Sequence, residues 1–136
     1  MILLDTHIWL WQIDQNKKLK NWQRNLIEIN QDIGLGVSIF SCWEVAKLVE
    51  PGRITFGCGI DEWMENALAY DGIQLIDLTP QIVIDSTCLP GNFHKDPADQ
   101  IIVATARCYD IPLLTSDEKI LAYQYVKLCK ENSVSA

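Results

Sequence analysis

At 136 residues the chain is long enough for one ordinary domain with one core, which excludes solenoids and multidomain machines. Apolar residues make up 49% and charged residues 21%, a balance that is neither disordered nor fibrous. The 11 Lys and Arg face 18 Asp and Glu, so the formal charge of -7 removes any broad electrostatic grip on nucleic acid and leaves only local or metal-mediated contact.

The cysteines Cys42, Cys58, Cys88, Cys108 and Cys129 are odd in number, widely spaced and without CxxC or Cys/His ligand spacing. They read as reduced thiols, most of them buried. Met1 to Leu4 has no basic segment and no small-residue cleavage site, so no signal peptide is expected, and no apolar run reaches membrane-spanning length. The expectation is a soluble cytoplasmic domain with no membrane contact.

Met1 to Leu4 is wholly apolar and stops at Asp5, the pattern of a strand buried on both faces of a parallel sheet. Thr6 to Trp11 reads as a helix entered directly from it. After a polar break, Asn21 is placed to cap a helix from about Trp22 to Gln31, with Trp22, Leu26 and Ile29 at helical spacing. Gly34 to Ile39 reads as a second strand. Ser41 is placed to cap a helix from Cys42 to Val49, ended by Pro51-Gly52, with Glu44 at its third position.

Asp61 to Ala69 reads as a short helix and Ile73 to Ile76 as a third strand. Thr79-Pro80 opens a helix to about Cys88, and Asp96-Pro97 opens another to about Tyr109, each with a cap followed by proline at the first helical position. Between them Pro90 to Lys95 is a loop by composition. Ile111 to Thr115 is a fourth strand, a brief helix follows Asp117, Val126 to Leu128 fits a fifth edge strand, and Glu131 to Ala136 a frayed tail. Strands alternating with helices predict an α/β domain with a central parallel sheet of four to five strands and helices on both faces. One domain over 1–130 with a tail at 131–136 is expected.

In such a fold, ligands sit at the carboxyl ends of the strands, where the strand order reverses. Asp5 and Asp117 follow the first and fourth strands, while Glu44 and Asp99 fall in the early turns of helices, so all four can meet at that edge. Two carboxylates about 4 Å apart repel by roughly 4 kcal/mol at an effective dielectric near 20. Such a cluster needs a cation, shared protons or intervening solvent. Oxygen-only ligands favour Mg²⁺ or Mn²⁺, whereas His7 and His94 are too few and too far apart in sequence for zinc.

Each acid also has a structural reading. Asp5 fits the N-cap of the helix after it, Glu44 the reciprocal half of a capping box with Ser41, Asp99 a helix-dipole partner, and Asp117 a turn or cap. Asp96 is better explained as a cap before Pro97 than as a ligand. Lys17, Lys18, Lys20 and Arg24 form a dense basic patch that reads as a solvated helix end, and His94 and Lys95 are better placed for phosphate. Trp9, Trp11, Trp22, Trp43 and Trp63 read as core or subunit interface, and Gly34-Leu35-Gly36 lacks the third glycine of a dinucleotide loop.

The segments Leu3-Leu4-Asp5-Thr6-His7-Ile8-Trp9-Leu10-Trp11, Ser41-Cys42-Trp43-Glu44, His94-Lys95-Asp96-Pro97-Ala98-Asp99 with Ile102-Val103-Ala104-Thr105-Ala106, and Leu113-Leu114-Thr115-Ser116-Asp117 resemble the successive motifs of PIN-domain proteins. They are most similar to the VapC-like toxin subgroup. The resemblance implies a Rossmann-like sheet and a Mg²⁺-dependent endoribonuclease, with Mn²⁺ as an alternative. Its acidic metal ligands map onto Asp5, Glu44, Asp99 and Asp117, and its hydroxyl beside the last acid onto Thr115. Thr6, His94, Lys95 and Asp96 then stand around the ligands as substrate or supporting residues. It further implies an RNA substrate, an antitoxin partner and a homodimer. One departure is Gln100, where relatives commonly carry arginine, which weakens any substrate or partner contact that arginine makes but leaves the carboxylates untouched. A non-catalytic or stand-alone PIN domain in RNA binding or processing is the alternative, and it predicts a missing acid. A phosphatase of the haloacid dehalogenase type would need an early DxD, which Asp5-Thr6-His7 does not supply.

Overall fold

The computed structural model describes residues 1–49 and 57–131. The elements are β1 (Ile2–Leu4), α1 (Thr6–Asp14), α2 (Asn21–Asn30), β2 (Leu35–Ser38), α3 (Ile39–Val49), α4 (Ile60–Leu68), β3 (Ile73–Ile76), α5 (Pro80–Thr87), α6 (Pro97–Tyr109), β4 (Leu113–Leu114) and α7 (Glu118–Leu121). The four strands form one parallel sheet in the order β3-β2-β1-β4. The chain first steps outward from β1 through β2 to β3, then crosses back so that β4 lies on the other side of β1. The order therefore reverses at β1, which puts the switch point of the sheet directly before Asp5.

Side chains alternate across the sheet, as the two-residue period of a strand requires. Ile2, Leu4, Leu35, Val37 and Leu114 face one core, with Ile8 and Trp9 of α1, Leu26 and Ile27 of α2, Val45 of α3 and Ala67 of α4. Leu3, Ile76 and Leu113 face the other, with Ile102, Val103 and Ala106 of α6, Ile120 of α7, and Tyr123. Both faces are covered, which is why the strands are apolar almost throughout. Among the described residues no helix is long and apolar enough to cross a membrane.

The predicted helices and the first four strands are present, with four local corrections. Asn21 is the first residue of α2 rather than its cap, and the Gln23 side chain accepts a 2.9 Å hydrogen bond from the Lys20 backbone N–H. The buried stripe of α2 is Gln23, Leu26, Ile27 and Asn30, while Ile29 is exposed. Ser41 is not a cap either. Helix α3 starts directly from β2, and Ser38 Oγ accepts the Phe40 N–H at 3.0 Å. The fifth strand shrinks to a single parallel bridge between Leu113 and Leu128. The Pro51-Gly52 helix stop and residues 132–136 of the expected tail lie outside the described residues.

Candidate active site

Asp5 is the residue on which the carboxyl edge is organised, although it is only 4% exposed. Its Oδ1 accepts the Thr6 backbone N–H at 2.8 Å, capping α1, and its Oδ2 accepts the Thr115 hydroxyl at 2.7 Å. The capping reading and the site reading are thus both true of Asp5. His7 Nδ1 lies 3.7 Å from the same Oδ2, and His7 Nε2 accepts the Ser116 N–H at 3.0 Å. Accepting at Nε2 puts the proton of the neutral ring on Nδ1, toward Asp5. Burial pushes the Asp5 carboxyl above its usual range. His7 and the Thr115 and Thr6 hydrogen bonds oppose that rise, and the charge of Asp117 adds to it.

Glu44 enters from α3. Because that helix begins at Ile39, Glu44 is in its second turn, and the capping-box reading falls away. Thr6 Oγ1 lies 2.6 Å from Glu44 Oε1 and 2.7 Å from Ser41 Oγ. A hydroxyl has one proton, so the contacts form a chain in which Thr6 donates to the carboxylate and takes the Ser41 proton in return. Burial raises the Glu44 carboxyl, the Thr6 bond lowers it, and the charges of Asp5 and Asp96 raise it further.

Asp99 comes from the first turn of α6. Asp96 caps that helix, its Oδ1 accepting the Ala98 N–H at 2.9 Å and the Asp99 N–H at 3.3 Å, with Pro97 at the first position. Asp99 is pushed up to about 7, first by burial and then by the charges of Asp117, Asp5, Asp96 and Glu44 in that order. All the other acids of the predicted set therefore act on this one carboxyl. His94 Nε2 stands 3.1 Å from Asp99 Oδ2 but is not aligned to donate a hydrogen bond, so this buried N–H is left without one. His94 Nδ1 accepts the Asp96 N–H at 3.3 Å.

Asp5, Thr6, His7, Glu44 and Asp99 line one cleft of about 320 Å³ with Leu10, Trp43, Lys47 and Leu48. Asp117 lies outside that lining. It caps α7 through Lys119 N–H at 2.9 Å and Ile120 N–H at 3.4 Å, and its own N–H donates to Thr115 Oγ1 at 3.0 Å. The Thr115 hydroxyl thus links Asp117 to Asp5. Lys95 and Asp96 are exposed and also lie outside the cleft lining.

Three supporting residues escaped the sequence reading. His7, Ser116 and Gln23 form a part-buried relay in which the Gln23 amide donates to Ser116 Oγ at 3.0 Å and the Ser116 N–H donates to His7. One signal pointed to it. Gln23 is a polar residue on the same helical stripe as Leu26 and Ile27, and buried polar groups are there for a partner.

The donor set is the kind that holds a hard divalent ion: all oxygens, with the Glu44 and Asp99 carboxyls each raised by burial and then by the charges of neighbouring acids. Among the described residues no three His, Cys, Asp or Glu side chains close on a single ion. Protein oxygens alone do not complete a coordination sphere here, and Mg²⁺ commonly keeps several waters.

A parallel α/β domain whose acids gather where the strand order reverses is a Rossmann-like domain with its site at the switch point. Residues 2–124 match the family model described as PIN domain, and the chain belongs to that family. Ribonuclease VapC22 of Mycobacterium tuberculosis (strain ATCC 25618 / H37Rv) is 27% identical over 124 residues, covering 91% of this chain and 92% of that protein. Among solved structures, a toxin-antitoxin complex from Klebsiella pneumoniae matches with a TM-score of 0.63 at 18% identity, covering 94% of this chain and 100% of the other. VapBC2 from Rickettsia felis, bound to a DNA fragment from its promoter, matches with a TM-score of 0.65 at 17% identity over 95% and 98% of the two chains. These structural likenesses show the shared fold.

Proposed function

We propose that this chain is a divalent-metal-dependent endoribonuclease and the toxin half of a toxin–antitoxin pair. The observation that carries the reading is Asp99, a half-buried carboxyl raised to about 7 first by its burial and then by the charges of four other acids at the switch point of the sheet. The likeness to a ribonuclease and to toxin-antitoxin assemblies supports the substrate and the partner. The working unit is a single domain over 1–130, acting in the cytoplasm as a homodimer, and an antitoxin covers its site.

Asp5, Asp99 and Asp117 would hold Mg²⁺ or Mn²⁺, which when bound polarises a phosphoryl oxygen and lowers the pKa of a coordinated water. Glu44 orients the attacking water or a second ion, and Thr6 and Ser41 fix the rotamer of its carboxylate. Thr115 holds Asp5 from the far side and sets the position of Asp117. Exposed Lys95 contacts phosphate beside the site, while His94 stands against Asp99. In-line displacement leaves a 5′-phosphate and a 3′-hydroxyl.

A non-catalytic PIN domain that binds RNA draws on one observation, the lack of three ligating side chains around one point among the described residues. Incubation of the purified chain with single-stranded RNA separates the readings. Cleavage in Mg²⁺ that stops in EDTA and falls to background in folded Asp5→Asn and Asp99→Asn supports the enzyme. Cleavage that survives chelator or both substitutions overturns it, and binding without cleavage favours the alternative.

A further inference from the structure

The acids do not stand alone at the carboxyl edge; an aromatic ring and a lysine flank them on each side. On the α3 side Trp43, 56% exposed, lines the acid cleft with Lys47, whose Nζ lies 5.9 Å from the Trp43 ring centroid. Leu10 and Leu48 add an apolar wall. On the α6 side is a second recess of about 360 Å³, lined by Asn92, Phe93, His94, Lys119, Ala122 and Tyr123. It abuts the acids at two points. His94 lies against Asp99, and the Lys119 N–H is bonded to the capping carboxylate of Asp117.

The second recess has a built aromatic floor. Phe93 sits 4.7 Å from the Tyr123 ring and 4.4 Å from the His94 ring, centroid to centroid. The Tyr123 hydroxyl donates to the Pro90 carbonyl, and the Tyr125 ring fills the space where a side chain at Gly91 would stand. The loop that carries Asn92 and Phe93 is thereby tied to the segment after α7. Asn92 on the rim carries both a donor and an acceptor, the equipment for a base edge.

We propose that these two recesses are base subsites for the nucleotides on either side of the phosphate held at the acids, so that single-stranded RNA crosses the edge from Trp43 to Phe93. This inference rests on the ribonuclease reading for its substrate. Every base has a π-face, so stacking platforms bind a strand with little sequence demand, and only unpaired bases can reach them. Local lysines at each flank also give a chain with net charge -7 a grip on a polyanion beside the acids.

The test uses the full chain carrying Asp99→Asn, fluorescein-labelled short RNA oligonucleotides in Mg²⁺, and anisotropy as the readout. Trp43→Ala should weaken binding on the order of ten-fold, Trp43→Phe should restore most of it, and Asn92→Ala with Lys119→Ala should cost less. Abasic residues flanking the central phosphate should mimic these losses and fail to add to them. In the otherwise unaltered chain the same substitutions should raise KM more than they lower kcat. Unchanged binding in the Trp43 and Asn92/Lys119 variants, equal binding of duplex RNA, or no RNA binding at all overturns the inference. If the chain cleaves RNA while these variants bind and cleave as it does, the subsites fail and the enzyme reading stands. If it cleaves nothing yet binds in this pattern, the subsites stand and the enzyme reading falls.

Discussion

Leu4 and Asp5 are neighbours in sequence and almost equally hidden, at 0% and 4% exposure, yet they belong to regions governed by opposite terms. The body of the sheet, with Leu3, Leu4, Leu35, Leu113 and Leu114 fully buried, gains free energy for every apolar surface it removes from water. The carboxyl edge loses free energy for the same burial, because its carboxyls are raised by desolvation and by one another. What keeps the edge in place is a lattice of short polar contacts anchored in the body: Thr115 to Asp5, Thr6 and Ser41 to Glu44, and Gln23 through Ser116 to His7. The body supplies stability, and the edge spends part of it to hold charge.

The comparison breaks most readily at Leu4. Its side chain packs between the strand layer and α1, so Leu4→Ala removes apolar contact and leaves a cavity, at about 2–5 kcal/mol. Urea denaturation should show that loss as a lower midpoint with an unchanged slope. A cost no larger than that of an edge substitution would erase the division between body and edge.

The edge is sharpened by pH. Asp99 stands at about 7 in the folded chain against an ordinary 3.8, so between those values the folded state keeps a proton that the unfolded state has lost. Stability from this group is therefore fully present below about pH 4 and falls as pH rises through about 7, by on the order of 2 kcal/mol after allowance for solvent screening. Denaturation in EDTA across that window should show the decline, and Asp99→Asn should flatten it. Stability that increases from pH 5 to pH 7 in the metal-free chain, and does so through Asp99, would reverse the sign of the argument.

The body was far more legible in the sequence than the edge. Leu3-Leu4-Asp5, Thr79-Pro80 and Asp96-Pro97 each encode their element locally, through an apolar run that stops or a cap followed by proline, and each appears where expected. Ser41 misled because a helix that issues straight from a strand has no loop to mark its start. Ser38 takes the cap, and that shift of three residues turns Glu44 from a capping partner into a group that faces Thr6. Val126 to Leu128 read as a strand on composition, but a single bridge to Leu113 is all the pairing that forms there. Strand and helix order alone set Asp5, Glu44 and Asp99 along one cleft, while Asp117 stands outside its lining and is joined to Asp5 through Thr115. Their supports were not legible, because contacts such as Ser116 to His7 join residues 109 apart and leave no local pattern.

The finest test lies within one turn of α6, where Asp96 and Asp99 are three residues apart and do different work. Asp96 accepts two backbone N–H groups as the cap of the helix, and its charge also helps to raise Asp99. Asp96→Ala removes both effects. It should cost about 1 kcal/mol of stability, as the loss of a good N-cap does, while the Asp99 titration moves down in pH. Asp96→Asn keeps an oxygen for the cap and discards the charge, so it should hold stability near that of the unaltered chain and still lower the Asp99 midpoint. Carboxyl carbon chemical shifts followed by NMR against pH read that midpoint directly. If Asp96→Asn leaves it in place, Asp96 acts on the site only through the helix it caps, and the field that raises Asp99 comes from Asp117, Asp5 and Glu44 without it.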